Sequence, residues 1–404
     1  MTREPLIPVA EARGRILAAI EPTAPERVAL AEAHGRILAE DVIAQRTQPP
    51  ADLSAMDGYA VRAEDVASVP ARLRVIGEAP AGRAFGGAVG SGEAVRIFTG
   101  APLPEGADTI VIQENTERYG DFVIIRQGAA AGRHVRRAGL DFTEGTTGLG
   151  RGRRLSPADI ALAAAMNVPV VSVHRAPRIA FFSTGDELVR PGEPVGPGQI
   201  VSANNDGLAA LIAEAGGVPL DLGIVPDRRD AIRIAAHRAA EADMLVTLGG
   251  ASVGEHDLVQ AALAEDGLSI DFWRIAMRPG KPLMFGRYRD IPMLGLPGNP
   301  VSALVCALIF LVPAITKLEG GGDTSPRTAL ARLGAGLAEN DQREDYLRAR
   351  LELRPDELPL VIPFETQDSS MLSVLSSADC LVIRPPHTPA AEAGEIVRVM
   401  PLRA

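Results

Sequence analysis

Apolar side chains recur at three- and four-residue steps near the start of the chain, at Val9, Ile16, Leu17 and Ile20, before Pro22 and Pro25 break the pattern. This spacing predicts one helix, and a second is expected over roughly 26–33. Beyond Pro49-Pro50 the pattern shortens to runs such as 73–76, 94–97, 109–112 and 122–125, each bounded by Gly, Pro or Asp. Residues 51–140 therefore read as a compact β unit built from hairpins. Ser156-Pro157 then opens a helix through Met166, with Ser at the N-cap and Pro at the first helical position, and 170–173 follows as a strand.

From about 176 to 320 strand and helix alternate. Short continuous apolar runs at 178–182, 220–225, 244–248 and 292–296 are each followed by helical spacing, at 204–215, 228–241, 256–265 and 299–312. Runs without polar alternation suit strands covered on both faces, so the fold class is a multidomain α/β plus β protein around an open, doubly wound α/β sheet. After Gly320-Gly321-Gly322 come the runs 329–333, 346–353, 360–363 and 396–400, with no helix longer than a turn or two. They predict a small terminal β domain. No internal repeat is visible.

Composition narrows the function classes. A length of 404 residues suggests two to four structural units, and 46% hydrophobic with 23% charged residues excludes a mainly disordered chain. Only 15 aromatics argue against a base-stacking surface, and a net charge of −10 argues against nucleic acid or an anionic membrane as the main partner. A small anionic ligand stays open, because a local site can oppose the global charge. The apolar run 301–315 contains Pro313 and is shorter than the roughly 20 residues a spanning helix needs, so it is expected to be buried. No signal or transit peptide is readable. Cys306 and Cys380 form no framework, the histidines form no zinc pattern, and Cys306 reads as a small buried hydrophobe. A reduced, cytoplasmic protein without structural zinc is expected.

In an open α/β sheet, ligands bind beyond the carboxyl ends of the strands. The first strand runs into Ser183-Thr184-Gly185-Asp186-Glu187, the second into Pro226-Asp227, and the third into Gly249-Gly250-Ala251-Ser252-Val253-Gly254-Glu255-His256-Asp257. Three strand ends thus deliver acids to one edge. Converging carboxylates repel unless a cation joins them, and Mg²⁺ suits oxygen donors. Helix capping also accounts for Asp227 and Asp257, but not for Glu187, which lies in a loop. Gly249-Gly250 lets backbone approach a ligand, and the N–H groups of 252–254 at a helix start suit a phosphate, although a plain turn serves equally. Prolines stiffen Arg278-Pro279-Gly280-Lys281-Pro282, which fixes where its cations point. Leu296-Pro297-Gly298-Asn299-Pro300 is a rigid strand-to-helix turn. Asp57-Gly58 and Thr99-Gly100 read as ordinary turns.

Taken together, these strings resemble the MoeA family of molybdopterin molybdenumtransferases, which includes the C-terminal domain of gephyrin. The matching strings are SAMDGYAV at 54–61, RIFTGAPLPEGAD at 96–108, RRAGLDF at 136–142, FSTGDEL at 182–188, GGASVGEHD at 249–257, RPGKP at 278–282 and GLPGNPVSA at 295–303. They run in family order, and the resemblance extends from about residue 5 to 402. It implies a helical N-terminal domain of 1–46 rejoined by 141–175, an inserted β domain at 47–140, a MogA-like α/β domain at 176–324 and a C-terminal β barrel at 325–404. It also implies a homodimer whose cleft lies between the α/β domain of one subunit and the inserted domain of the other, which would bring in Asp57 and Thr99.

The implied reaction joins molybdate to adenylylated molybdopterin and yields molybdenum cofactor and AMP. By motif, Glu187, Asp227 and Asp257 match the acidic cluster for Mg²⁺ and molybdate, and Lys281 and Arg278 the cleft cations. Ser183, Thr184, Gly185, Asp186, Gly249, Gly250, Ser252, Pro297, Asn299 and Pro300, with Asp141 and Ser369, fall in motifs that line the substrate site. The implied partners are a MogA-type adenylyltransferase and apo-molybdoenzymes or their chaperones. The family usually has Lys at Arg278, Ser-Gly-Gly-Val-Ser at 248–252, and Gly-Ser-Gly at Asp368-Ser369-Ser370. Two other functions compete: adenylyl transfer from ATP to molybdopterin, and a gephyrin-like interaction scaffold. The flanking domains argue against the first, and the lack of an extra N-terminal domain or long linker against the second.

Overall fold

The computed structural model describes residues 6–250, 258–322 and 324–402. Its centre is a six-stranded sheet of β1 (Arg178–Thr184), β2 (Val218–Val225), β3 (Met244–Leu248), β4 (Leu268–Trp273), β5 (Met284–Tyr288) and β6 (Ile291–Leu296). Their spatial order is β2-β1-β3-β6-β5-β4. The first four are parallel, while β5 and β4 run antiparallel to their neighbours. The alternation of strand and helix foretells the parallel half. It does not reveal β4 and β5, which follow one another without an intervening helix.

Helices α1 (Asn204–Glu214), α2 (Arg229–His237) and α3 (Leu258–Ala264) flank this sheet. Pro300–Leu318 is one continuous helical stretch with a π-turn at Ala307–Leu311. By length and hydropathy it resembles a membrane-crossing helix. Its apolarity has another use, because Val305, Ile309, Phe310 and Ile315 are buried in the same core as Phe181 and Leu294 of the sheet. Val9, Ala12 and Ile16 of the N-terminal helix Val9–Ala18 join that core too.

The helix expected over 26–33 is absent. Pro25–Ala29 is instead a strand, antiparallel to Val170–His174, and only Leu30–Glu32 makes a single 3₁₀ turn. The segment is rich in helix formers, yet Val28 and Leu30 pack against a core containing Val171 and Leu155, and such tertiary pairing overrides local propensity. Val42–Ile43 similarly pairs with Thr147–Leu149, so the chain leaves this lobe and returns to it. In between, the strand order Thr109–Ile112, Gly58–Val61, Glu93–Ile97, Ala71–Ala79, Phe122–Ile125, Thr116–Tyr119 forms a second six-stranded sheet. Gly58–Val61, expected as part of a turn, is a fully buried strand in this sheet. A Cβ on Gly58 would lie 2.0 Å from the Val111 carbonyl oxygen, so only glycine fits there.

The C-terminal region closes into a barrel of Ala329–Leu333, Glu344–Glu352, Leu360–Pro363, Cys380–Arg384 and Ile396–Pro401. Met277–Arg278 of the α/β domain adds to its edge, parallel to Glu344 and Asp345. Domain and barrel thus share backbone hydrogen bonding at the loop that carries the candidate cations.

Candidate active site

The connections from β1 to β2 and from β2 to β3 leave in opposite directions, which puts the topological switch between β1 and β3. A cleft of about 1230 Å³ opens there. It exceeds the roughly 300–1,000 Å³ of ordinary small-molecule pockets, so it has room for a larger ligand.

One wall is acidic. Glu187 and Asp227 line it, and Asp186 stands just behind, accepting a 3.1 Å hydrogen bond from the Asp227 backbone N–H. Desolvation holds the Asp227 carboxyl above the usual aspartate range, and the nearby charges of Asp186 and Glu187 push it the same way. The Glu187 carboxylate folds back over Gly185, where a Cβ would meet its two oxygens at 2.6 and 2.8 Å. The Glu187 carbonyl accepts from the Ile200 N–H at 2.8 Å, which anchors the loop. Among the described residues no three His, Cys, Asp or Glu side chains group closely enough to hold a metal. Asp257, the third expected acid, lies outside the described residues, as does Ser252 with the expected phosphate cradle. The described acids still repel one another in the way a hard cation would relieve.

The floor is backbone and small side chains. Gly249 and Gly250 have φ of +87° and +66°, and a Cβ on Gly250 would lie 2.4 Å from Val259. Thr184 and Pro297 complete this surface. Ser183 reaches the cleft edge, yet its hydroxyl donates to Asn205 Oδ1 at 2.5 Å. Asn205 in turn donates to Asp221 at 2.9 Å, so Ser183 ties the β1 terminus to α1. Asn299 precedes the long helix at the N-cap position, but its side chain makes no cap. It donates to Ser369 Oγ at 2.8 Å, and the Val301 N–H donates to the Ser369 carbonyl at 3.1 Å. Ser369 therefore belongs to the cleft wall, next to Pro300.

The cleft lining also includes four cations, Arg274, Arg278, Lys281 and Arg343. Arg278 donates through Nε and Nη2 to the two oxygens of Asp345, at 2.9 and 2.5 Å. Arg343 is held by Asp341, whose carboxyl it depresses to about 2. Lys281, one of only two lysines in the chain, and Arg274 form no ion pair among the described residues. Arg274 lies with its guanidinium carbon 4.3 Å from the Trp273 ring centroid, its Nε buried without a partner. Sequence reading missed Arg274 and Arg343. The first follows β4, a strand the pattern hid, and nothing but the barrel fold signals the second.

Three expected residues stand apart from this cleft. Asp57 and Thr99 meet each other, with the Thr99 N–H and hydroxyl donating to one Asp57 oxygen at 2.7 and 2.8 Å. Both bonds depress the Asp57 carboxyl, the backbone one most. They sit in the inserted sheet domain and do not line the cleft. Asp141, exposed, is not a lining residue either, and its N–H donates to the Gln48 carbonyl at 3.0 Å.

Fold and site define a class: an α/β protein whose switch-point cleft is lined by both acids and cations and is walled in part by a C-terminal barrel. Comparison with known proteins narrows it. Residues 7–167 match the MoeA N-terminal region (domain I and II), 180–317 the probable molybdopterin binding domain, and 330–402 the MoeA C-terminal region (domain IV). A molybdopterin molybdenumtransferase of Nostoc sp. is 42% identical over 81% of this chain and 77% of its own. Its Haemophilus influenzae counterpart is 35% identical over 97% of each chain. The crystal structure of a molybdopterin biosynthesis MoeA protein from Pyrococcus horikoshii aligns with a TM-score of 0.86 and 28% identity, covering 98% of this chain and 100% of that one. The chain belongs to the MoeA family.

Proposed function

We propose that this chain is a molybdopterin molybdenumtransferase, joining molybdate to adenylylated molybdopterin with release of AMP. The observation that carries the reading is that one switch-point cleft is lined both by Glu187 and Asp227 and by Lys281 and Arg274, two cations with no ion pair among the described residues. A diphosphate-linked substrate is anionic along its length, and this lining meets it with placed charge.

Lys281 and Arg274 hold phosphoryl oxygens, and the Gly249-Gly250 backbone lets the ligand approach the sheet edge. Cleavage breaks the phosphoanhydride P–O bond; an oxygen from water or molybdate ends on the AMP phosphorus, and the molybdopterin phosphate leaves with its own oxygen. Glu187 and Asp227, with Asp257, would hold Mg²⁺ through their carboxylate oxygens, and the ion would supply charge neutralisation of the phosphoanhydride. The protein offers molybdenum no sulfur: Cys306 and Cys380 are buried, and burial pushes the Cys380 thiol up to about 12 and that of Cys306 higher still. The soft donors must come from the dithiolene of the substrate.

The working unit is a homodimer in which Asp57 and Thr99 of one subunit complete the cleft of the other. A MogA-type adenylyltransferase supplies the substrate and apo-molybdoenzymes or their chaperones collect the product, in the cytoplasm. The test is molybdate-dependent AMP release from adenylylated molybdopterin. Glu187→Ala and Asp227→Ala are expected to lower the rate at least tenfold, roughly 1.4 kcal/mol of barrier. Unchanged rates would remove the assigned site, and ATP consumption with metal-free molybdopterin would point to adenylyl transfer instead.

A further inference from the structure

The barrel edge pairs with the cation-bearing turn of the α/β domain. Met277–Arg278 lies parallel beside Glu344 and Asp345, and the Glu344 N–H donates to the Ala276 carbonyl at 2.8 Å. Arg278 then meets Asp345 with two parallel bonds, 2.9 and 2.5 Å long, and its Nη1 lies 3.9 Å from Asp341. Asp345 is only 3% exposed. A buried carboxylate needs a partner, and a planar guanidinium can satisfy both its oxygens at once, which an ammonium cannot. Three residues on, Lys281 lines the cleft and forms no ion pair among the described residues. The two cations of this turn therefore differ: one is committed to the barrel, the other is left for a ligand.

We propose that Asp345 is a positioning residue for the cleft, holding Arg278 so that the turn through Gly280 presents Lys281, and that Arg278 acts through this clasp and not by touching substrate. The inference rests on the proposed transferase reaction for its kinetic readout. A second readout, amide hydrogen exchange, is independent of that reaction.

The experiment compares Arg278→Lys, Arg278→Gln, Asp345→Asn and the Arg278→Gln/Asp345→Asn double variant, each in the full chain. If the clasp operates, both Arg278 variants and Asp345→Asn lower kcat alike, by about ten- to a hundredfold, with KM little changed. The double variant is then no worse than the worse single one, because both remove the same interaction. Exchange of the amides of 276–282 quickens in Asp345→Asn and in Arg278→Lys, while those of the barrel strand Ala329–Leu333 keep their protection. The proposal is overturned if Arg278→Lys keeps wild-type kcat while Arg278→Gln loses it, for then charge at the ligand is what matters. It is equally overturned if exchange over 276–282 is unchanged in Arg278→Lys, a reading available even where Asp345→Asn fails to fold. A wild-type chain that releases no AMP refutes the transferase reading and leaves the exchange result to decide the clasp.

Discussion

At the scale of single residues, the most constrained position beside the cleft is Gly280. Its φ is +114°, and a Cβ there would sit 2.3 Å from the Cys306 sulfur. That thiol in turn lies under the turn, 3.7 Å from the Gly280 carbonyl. Gly280→Ala should destabilise the fold by about 1–3 kcal/mol, the range for overpacking a filled core, and should slow AMP release by moving Lys281. Adding Cys306→Ala makes room for the new methyl and should restore part of the lost Tm. A double variant as unstable as Gly280→Ala alone would assign the cost to backbone conformation and not to the sulfur. Cys306 was legible in the sequence as a packed hydrophobe, whereas its role in setting Gly280 was not, because 26 positions separate two atoms that the fold brings together. Asn299 teaches the same lesson. Its place before a helix suggests a cap, but its amide serves Ser369 of a different domain.

At the scale of elements, legibility followed how local the determinants are. Ser156 and Asp159 make a capping box with Pro at the helix start, so Pro157–Ala165 needs no distant contact to be read. Pro25–Ala29 owes its extended form to a partner some 145 residues away, so local propensity misleads there. The long helix Pro300–Leu318 was legible by its apolar run, but its ending was not. It stops at Glu319, buried, whose carboxylate accepts from Arg154 at 2.7 Å. Burial raises this carboxyl above the usual glutamate range, and Arg154 opposes the shift without cancelling it. The folded chain thus holds the proton more tightly than the unfolded one. Stability from this group is fully present below about pH 4.3, the ordinary glutamate value, and is lost as pH rises through the raised one. Glu319→Gln keeps an acceptor for Arg154 and carries no charge. Its Tm relative to wild type should therefore climb between about pH 4 and 7. A difference that stays flat or falls over that interval would show that the ion pair outweighs burial.

At the scale of the whole molecule, the global charge of −10 and the proposed anionic substrate are reconciled by local arrangement. The barrel's carboxylates neutralise Arg278 and Arg343, while Arg274 and Lys281, in the same cleft lining, form no ion pair among the described residues. What the single chain leaves unexplained is the pair Asp57 and Thr99, which its own cleft does not include. Their mutual hydrogen bonds would suit a plain turn, yet they bridge the chain just outside two paired antiparallel strands, Gly58–Val61 and Glu93–Ile97, and the second oxygen of Asp57 has no hydrogen-bond partner among the described residues. If a second subunit inserts this loop into the cleft, Asp57→Ala and Glu187→Ala damage different halves of each composite site. Mixing the two inactive proteins under conditions of subunit exchange would then create heterodimers with one cleft carrying both lesions and one carrying neither. Random exchange makes about half the dimers mixed, so roughly a quarter of wild-type AMP release should return. A mixture that stays inactive after exchange is verified by mass would assign the whole site to one chain and return Asp57 to the status of a turn residue. Recovery near a quarter would instead explain why an acid bonded only to its own domain stands in a motif so far from the cleft that the rest of the chain builds.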